Sequence, residues 1–138
     1  MKKIYYAALI YMIGGLLAGI YYREITKAAG FTGYSMVSVL HTHLLTLGMF
    51  FFLIVLLLEK SFALTKSKLF PAFFWVYNLG IVWTVGMMAV HGTMTITGIS
   101  VGPAISGIAG LGHIILSVGL ILFFILLKER IVPKTKQE

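Results

Sequence analysis

The chain alternates between long apolar runs and short polar breaks. The first run extends from about Ile4 to Tyr22 and stops at Arg23-Glu24; the second, about Tyr34 to Leu58, stops at Glu59-Lys60. A third opens behind Pro71 and continues over about residues 72–97, and a fourth runs from about Ala104 to Leu127. Each holds about 19 to 26 residues, enough for a helix to cross the hydrocarbon core of a bilayer with some tilt. Pro71 suits the first turn of its helix, where the missing N–H would have no partner in any case. The breaks fall at Arg23 to Gly33, Glu59 to Phe70 and Gly98 to Pro103, and a polar tail, Lys128 to Glu138, is expected to fray. The pattern predicts an all-α, single-domain bundle of four transmembrane helices.

Composition agrees with the pattern. Only 11% of the residues are charged, against roughly 25% in a soluble domain. The net charge of +7 would point to nucleic acid in a soluble protein, but here the cations flank apolar spans, so no nucleic-acid partner is expected. Lys2, Lys3, Lys60, Lys66, Lys68, Lys128, Arg130, Lys134 and Lys136 fall on one side of the membrane, and only Arg23 and Lys27 on the other. The positive-inside rule then places both termini in the cytoplasm and the chain in the plasma membrane. Tyr21, Tyr22, Phe31 and Tyr34 would form the outer aromatic belt, and Tyr5, Tyr6, Phe62, Phe70 and Trp75 the inner one. Lys2-Lys3 before an apolar run has the look of a secretory signal, yet the run is long and lacks a small-residue cleavage site, so a retained helix is expected. The chain has no cysteine, which removes thiolate clusters, nucleophilic thiols and covalent heme attachment.

Chemistry inside the spans rests on four histidines: His41 and His43 on the second helix, His91 on the third and His113 on the fourth. No Asp, Glu, Lys or Arg accompanies them. An ionisable group at membrane depth is costly, and it is a functional candidate for that reason. Counted from the outer ends of their helices, all four fall roughly 9 to 14 Å below the outer boundary, in one layer. Residues two apart on a helix point about 200° apart, so His41 and His43 face nearly opposite ways and cannot bind one small ion together. Leu45 and Gly48 share the His41 face, and Gly48 would leave room there for a flat ligand along the helix. His91 shares a face with Thr84, Met87, Met88, Met94 and Thr95, and His113 lies beside Ala109, Gly110 and Ser117. Each reads either as an axial heme ligand or as a polar link to a neighbouring helix. Asn78, Trp83 and the Thr93–Thr97 cluster read as interhelical hydrogen-bonding groups. Gly15-x-x-x-Gly19 on the first helix, and the stripe Gly102, Ser106, Gly110, His113 and Ser117 on the fourth, read as packing faces.

The run His41-Thr-His-Leu-Leu-Thr-Leu-Gly48, followed by Met-Phe-Phe-Phe-Leu-Ile, resembles the H-x-H helix of the catalytic subunit of heme-copper oxidases and bacterial nitric oxide reductases. In that family the two histidines ligate two hemes from opposite faces of one helix. That helix is the second in an arc of four, and the arcs are related by approximate threefold symmetry. Here too the motif lies on the second of four spans, so the chain resembles one such arc. The layout also resembles a family of small four-span bacterial membrane proteins of unknown function. The first resemblance implies b-type heme, with His41 and His43 as axial ligands to its iron. His91 and His113 are further heme-binding candidates from their own positions within the spans. The oxidase family's copper-binding histidines and its His-Pro-Glu-Val segment have no counterpart, so a complete oxygen- or nitric-oxide-reducing centre is not expected. One arc cannot close a heme site alone. Self-association would supply the rest, a homotrimer before a homodimer, with a redox partner of unknown identity. Arg23 and Lys27 are the nearest candidates for the heme propionates, or else plain interfacial anchors.

Three functions are compatible with these features. One is a heme b protein for electron transfer, heme handling or gas sensing. Another is a small transporter or channel whose histidines bind a transition metal or relay protons. The third is an assembly partner with structural histidines. The spans hold no nucleotide loop, catalytic triad or carboxylate pair, so soluble-enzyme classes have no foothold.

Overall fold

A computed structural model describes residues 1–132, except for the side chains of Ala104 and Ser106. Lys134 and Lys136 of the charge bias lie outside the described residues, as does Ser106's place in the small-residue stripe. The described residues form helices joined by short turns and loops, with no strand. Helix α1 is Lys2–Ala28, α2 is Met36–Phe62, α3 is Phe70–Ile96 and α4 is Pro103–Ile131. All four are long and apolar enough to cross a membrane. Only 22% to 33% of each apolar stretch is buried inside the protein. Ile10, Leu17, Leu57, Val82, Ile114 and Phe124 all point outward with more than half their surface free. Water does not tolerate apolar faces of this extent, and a bilayer does. The chain is a multi-pass membrane protein.

The helices start and stop where local chemistry dictates. Helix α1 runs past the apolar stretch through Arg23, Glu24 and Lys27, because nothing in that polar segment breaks a helix before Gly30. Gly30, at φ +59°, turns the chain in the left-handed region, and the Phe31 N–H returns to the Thr26 carbonyl at 2.9 Å. Ser35 caps α2: its Oγ accepts from the Val37 N–H at 3.3 Å and donates to the Gly92 carbonyl of α3 at 2.8 Å. Helix α4 stays regular to Ile131, so the tail is helical for four residues where fraying was expected. Arg130 explains part of this, since its Nε donates to the Phe62 carbonyl at the end of α2 (3.0 Å).

Packing follows the small residues. On α3 and α4, a Cβ added at Gly80 would lie 2.7 Å from the Leu116 amide nitrogen, one at Gly112 3.0 Å from the Thr84 nitrogen, and one at Gly119 2.8 Å from the Tyr77 Cα. The two backbones therefore nearly touch along the whole seam. Within the chain the α4 stripe is not the packing face: Gly110, His113 and Ser117 lie on its exposed side, while Gly112, Leu116 and Gly119 face α3. Gly15 of α1 does pack as expected, against Leu45 and the His41 carbonyl of α2. The core is aromatic. Phe51, Phe52, Phe73, Tyr77 and Phe123 interlock with ring centres 4.3 to 6.3 Å apart. Phe70, expected in the inner aromatic belt, is buried against Phe73 and Phe74 instead; Tyr5, Tyr6 and Trp75 are exposed.

Candidate functional site

Helix α2 is not uniform where its histidines sit. It begins with a 3-10 turn, Met36–Val39, makes one α-turn, Leu40–His43, and then widens into a π-helical stretch, Leu44–Phe50. Regular α geometry resumes at Phe51. The two histidines thus stand at the junction of a tight and a wide coil, and π segments inside α-helices are frequent at functional sites.

His43 has the more informative geometry. Its Nδ1 lies 2.9 Å from the Val39 carbonyl oxygen. A carbonyl only accepts, so Nδ1 carries the proton, and the tautomer this selects has its lone pair on Nε2. The ring lines an open groove of about 230 Å³ together with Thr42, Thr46 and Leu47. An imidazole fixed through Nδ1–H to a backbone carbonyl, with Nε2 free, is oriented in the manner of metal-ligating histidines.

His41 faces the other way. Its carbonyl lies near Gly15 and its Cβ 3.9 Å from the position a Cβ would take on Gly19, so the ring is seated against α1. Its Nδ1 is buried with no hydrogen-bond partner, and its Nε2 is 3.4 Å from the Thr42 hydroxyl. The opposed orientation of His41 and His43 matches the sequence expectation. The space for a flat ligand beside Gly48 does not, because the flat group there is the Tyr11 ring of α1. A Cβ on Gly48 would come within 2.6 Å of the Tyr11 Cβ. Tyr11 is stacked parallel to Phe52 and donates to Asn78 Oδ1 at 2.7 Å. The α1-facing side of α2 is therefore full, and the His43 side is open.

The other two histidines do not join them. His91 is half-buried, with Nδ1 buried and unpartnered. His113 is exposed on the outer face of α4. The close approach of Gly112 to Thr84 puts His113 at the level of Thr84, seven residues from His91. At 1.5 Å per residue that is about 10 Å deeper. The histidine layer is thus about two helical turns thick. Among the described residues no group of three or more His, Asp or Glu side chains is gathered to hold a metal ion. Of the expected polar links, Asn78 reaches α1, Thr93 meets Tyr21 at 2.8 Å and Trp83 Nε1 donates to the Ile108 carbonyl at 3.0 Å. Thr95 and Thr97 bond only to carbonyls of their own helix.

Thr84 was not singled out by sequence as a group of its own. Its hydroxyl is buried without a partner on the α3–α4 seam. A lone Thr in an apolar helix carries no signal of that kind. Glu59, which in the sequence only ends the second apolar run, is nearly buried, and both its oxygens accept from Thr65, one from the backbone N–H at 2.8 Å and one from the hydroxyl.

A family model described as "Protein of unknown function (DUF2871)" matches residues 1–130. The chain belongs to this family. The match spans all four histidines and everything but the last residue of α4. No curated protein and no solved structure matches the chain.

Proposed function

We propose that this DUF2871 protein is an integral membrane b-type heme-binding protein in which His43 is the principal axial ligand. The observation that carries the reading is the Nδ1–H to Val39 carbonyl bond, which leaves Nε2 as a fixed, neutral donor on the open side of α2. Ferrous and ferric iron both accept neutral imidazole, so the ligand itself carries no charge into the lipid. The resemblance of His41-Thr-His43 to the H-x-H helix of heme-copper oxidases supports the same ligand type. Heme, when bound, supplies one-electron chemistry or a gas-binding iron. The chain's own contribution is to orient His43, to offer the Thr42 and Thr46 hydroxyls beside it, and to close the opposite face with Tyr11.

The groove at His43 is smaller and more open than the roughly 300–1,000 Å³ of an enclosed small-molecule site. A second copy of the chain therefore completes it. A homotrimer reproduces the threefold arrangement of the family that the motif resembles, and the charge bias sets both termini in the cytoplasm. His41, His91 and His113 are the remaining candidate ligands from the other copies.

The buried, unpartnered Nδ1 atoms of His41 and His91 favour a second reading, a small transporter or channel with histidines that bind a transition metal or relay protons. Absorption spectra of the purified protein, oxidised and reduced, after expression with excess heme separate the two. A Soret band with stoichiometric heme supports the first. Heme-free protein that takes up zinc or copper supports the second and rejects the first.

A further inference from the structure

The seam between α1 and α3 is bridged at two points only among the side-chain hydrogen bonds of the described residues, Tyr11 to Asn78 and Tyr21 to Thr93. Beside the inner bridge lies an apolar groove of about 520 Å³, walled by Tyr6, Ile10 and Tyr11 of α1 and by Phe74, Trp75 and Asn78 of α3. Lys3 stands at its mouth. From this we infer a binding site for one anionic phospholipid of the leaflet that holds the two termini, its headgroup on Lys3 and an acyl chain along Ile10 and Phe74.

The distribution of polarity selects that occupant. Asn78 and Tyr11 lie at the bottom of the groove, but they satisfy one another: the Tyr11 hydroxyl donates to Asn78 Oδ1 at 2.7 Å, and Asn78 Nδ2 donates to the Phe74 carbonyl at 2.6 Å. The depth therefore offers no convergent polar site for a compact head such as a quinone ring. The positive charge is at the mouth, and Ile10 is seven residues further along α1, about 10 Å deeper. A ligand that complements this has an anionic end at the interface and a long apolar tail. Exposed Tyr6 and Trp75 flank the mouth, at the level where amphipathic rings favour the headgroup region. A second groove of similar size, about 510 Å³, lies at the other end of the seam against Tyr21, Val90, Met94 and Ile99. No charged side chain lines it, so selection for an anionic headgroup is confined to the Lys3 end.

The test is native mass spectrometry of the full-length protein in neutral detergent, titrated with dioleoyl phosphatidylglycerol and separately with dioleoyl phosphatidylcholine. One Lys near the surface gives about a fivefold preference for the anionic lipid. That preference is expected in the wild type and in Lys2→Gln, and is expected to vanish in Lys3→Gln. Ile10→Trp fills the groove from an exposed position and should abolish the tightest-bound lipid while far-UV circular dichroism stays unchanged. Val82 of α3 also lines the groove, and Val82→Trp does the same from that side and serves if Ile10→Trp fails to fold. Equal affinity for the two lipids in the wild type would overturn the assignment. So would equal loss in Lys2→Gln and Lys3→Gln, retention of the lipid in both folded Trp variants, or displacement of the lipid by soluble glycerol phosphate.

Discussion

Gly80→Ala tests a close backbone-to-backbone approach of α3 and α4. An added Cβ would lie 2.7 Å from the Leu116 amide nitrogen and 2.8 Å from its Cα, where 3.4–4 Å is ordinary contact. Both atoms are backbone, so no rotamer change relieves the clash. Helices α3 and α4 must part by about 0.7 Å at this point, and a radial gap of about 0.5–1 Å forfeits roughly a quarter to a half of the dispersion energy of the atoms involved. Gly112 on Thr84 and Gly119 on Tyr77 share the seam, so the loss extends beyond one residue. Overpacking of this kind costs about 1–3 kcal/mol. Alanine also favours a helix over glycine by about 1 kcal/mol, which would mask part of the cost. Gly86→Ala removes that ambiguity, because Gly86 is on the same helix with nothing within 4 Å of its added Cβ. The difference between the two variants isolates packing and should be about 1–3 kcal/mol against Gly80→Ala. Reversible unfolding in mixed dodecyl sulfate micelles, followed by circular dichroism, measures it. Equal stability of the two variants would refute the close approach of α3 and α4.

Further outcomes follow from other contacts. Glu59→Ala removes the acceptor for both the Thr65 N–H and hydroxyl, which should destabilise the α2–α3 turn by about 1–3 kcal/mol and speed proteolysis there; unchanged cleavage of Glu59→Ala would remove that role. The native chain has no cysteine, so single cysteines report sidedness directly: Ser100→Cys should react with a membrane-impermeant maleimide in intact cells and Lys66→Cys only after permeabilisation, with the reverse pattern contradicting the orientation. Tyr11→Phe breaks the bond to Asn78 and should cost about 1 kcal/mol, while Tyr11→Ala should cost more because it also opens the space over Gly48; the same unfolding titration separates them.

The number and rough limits of the helices were legible because a span announces itself by length and by the absence of charge. Their ends were less so. Arg23 and Glu24 halt the apolar run but not α1, since helix propensity is indifferent to hydropathy and the stop signal is Gly30. Rotation of each helix was the harder part. The Gly110–His113–Ser117 stripe and the Gly112–Gly119 pair on α4 look alike in sequence, and only contact with Gly80 and Thr84 of α3 shows which of them packs. At the candidate site, the opposed faces of His41 and His43 followed from helix geometry alone. The Tyr11 ring over Gly48 did not, because it depends on how α1 crosses α2. The π stretch from Leu44 to Phe50 carries no proline or charge to mark it.

The proposed function rests on His43 as the principal ligand, presenting a free Nε2 on the open side of α2. The most direct measurement is the absorption spectrum of heme-loaded protein, oxidised and reduced, for the wild type, His41→Ala and His43→Ala. The expected result is a Soret band in the wild type that is lost or strongly shifted in His43→Ala and largely kept in His41→Ala. Unchanged spectra in His43→Ala, or a wild-type protein that binds no heme when heme is in excess, would contradict it.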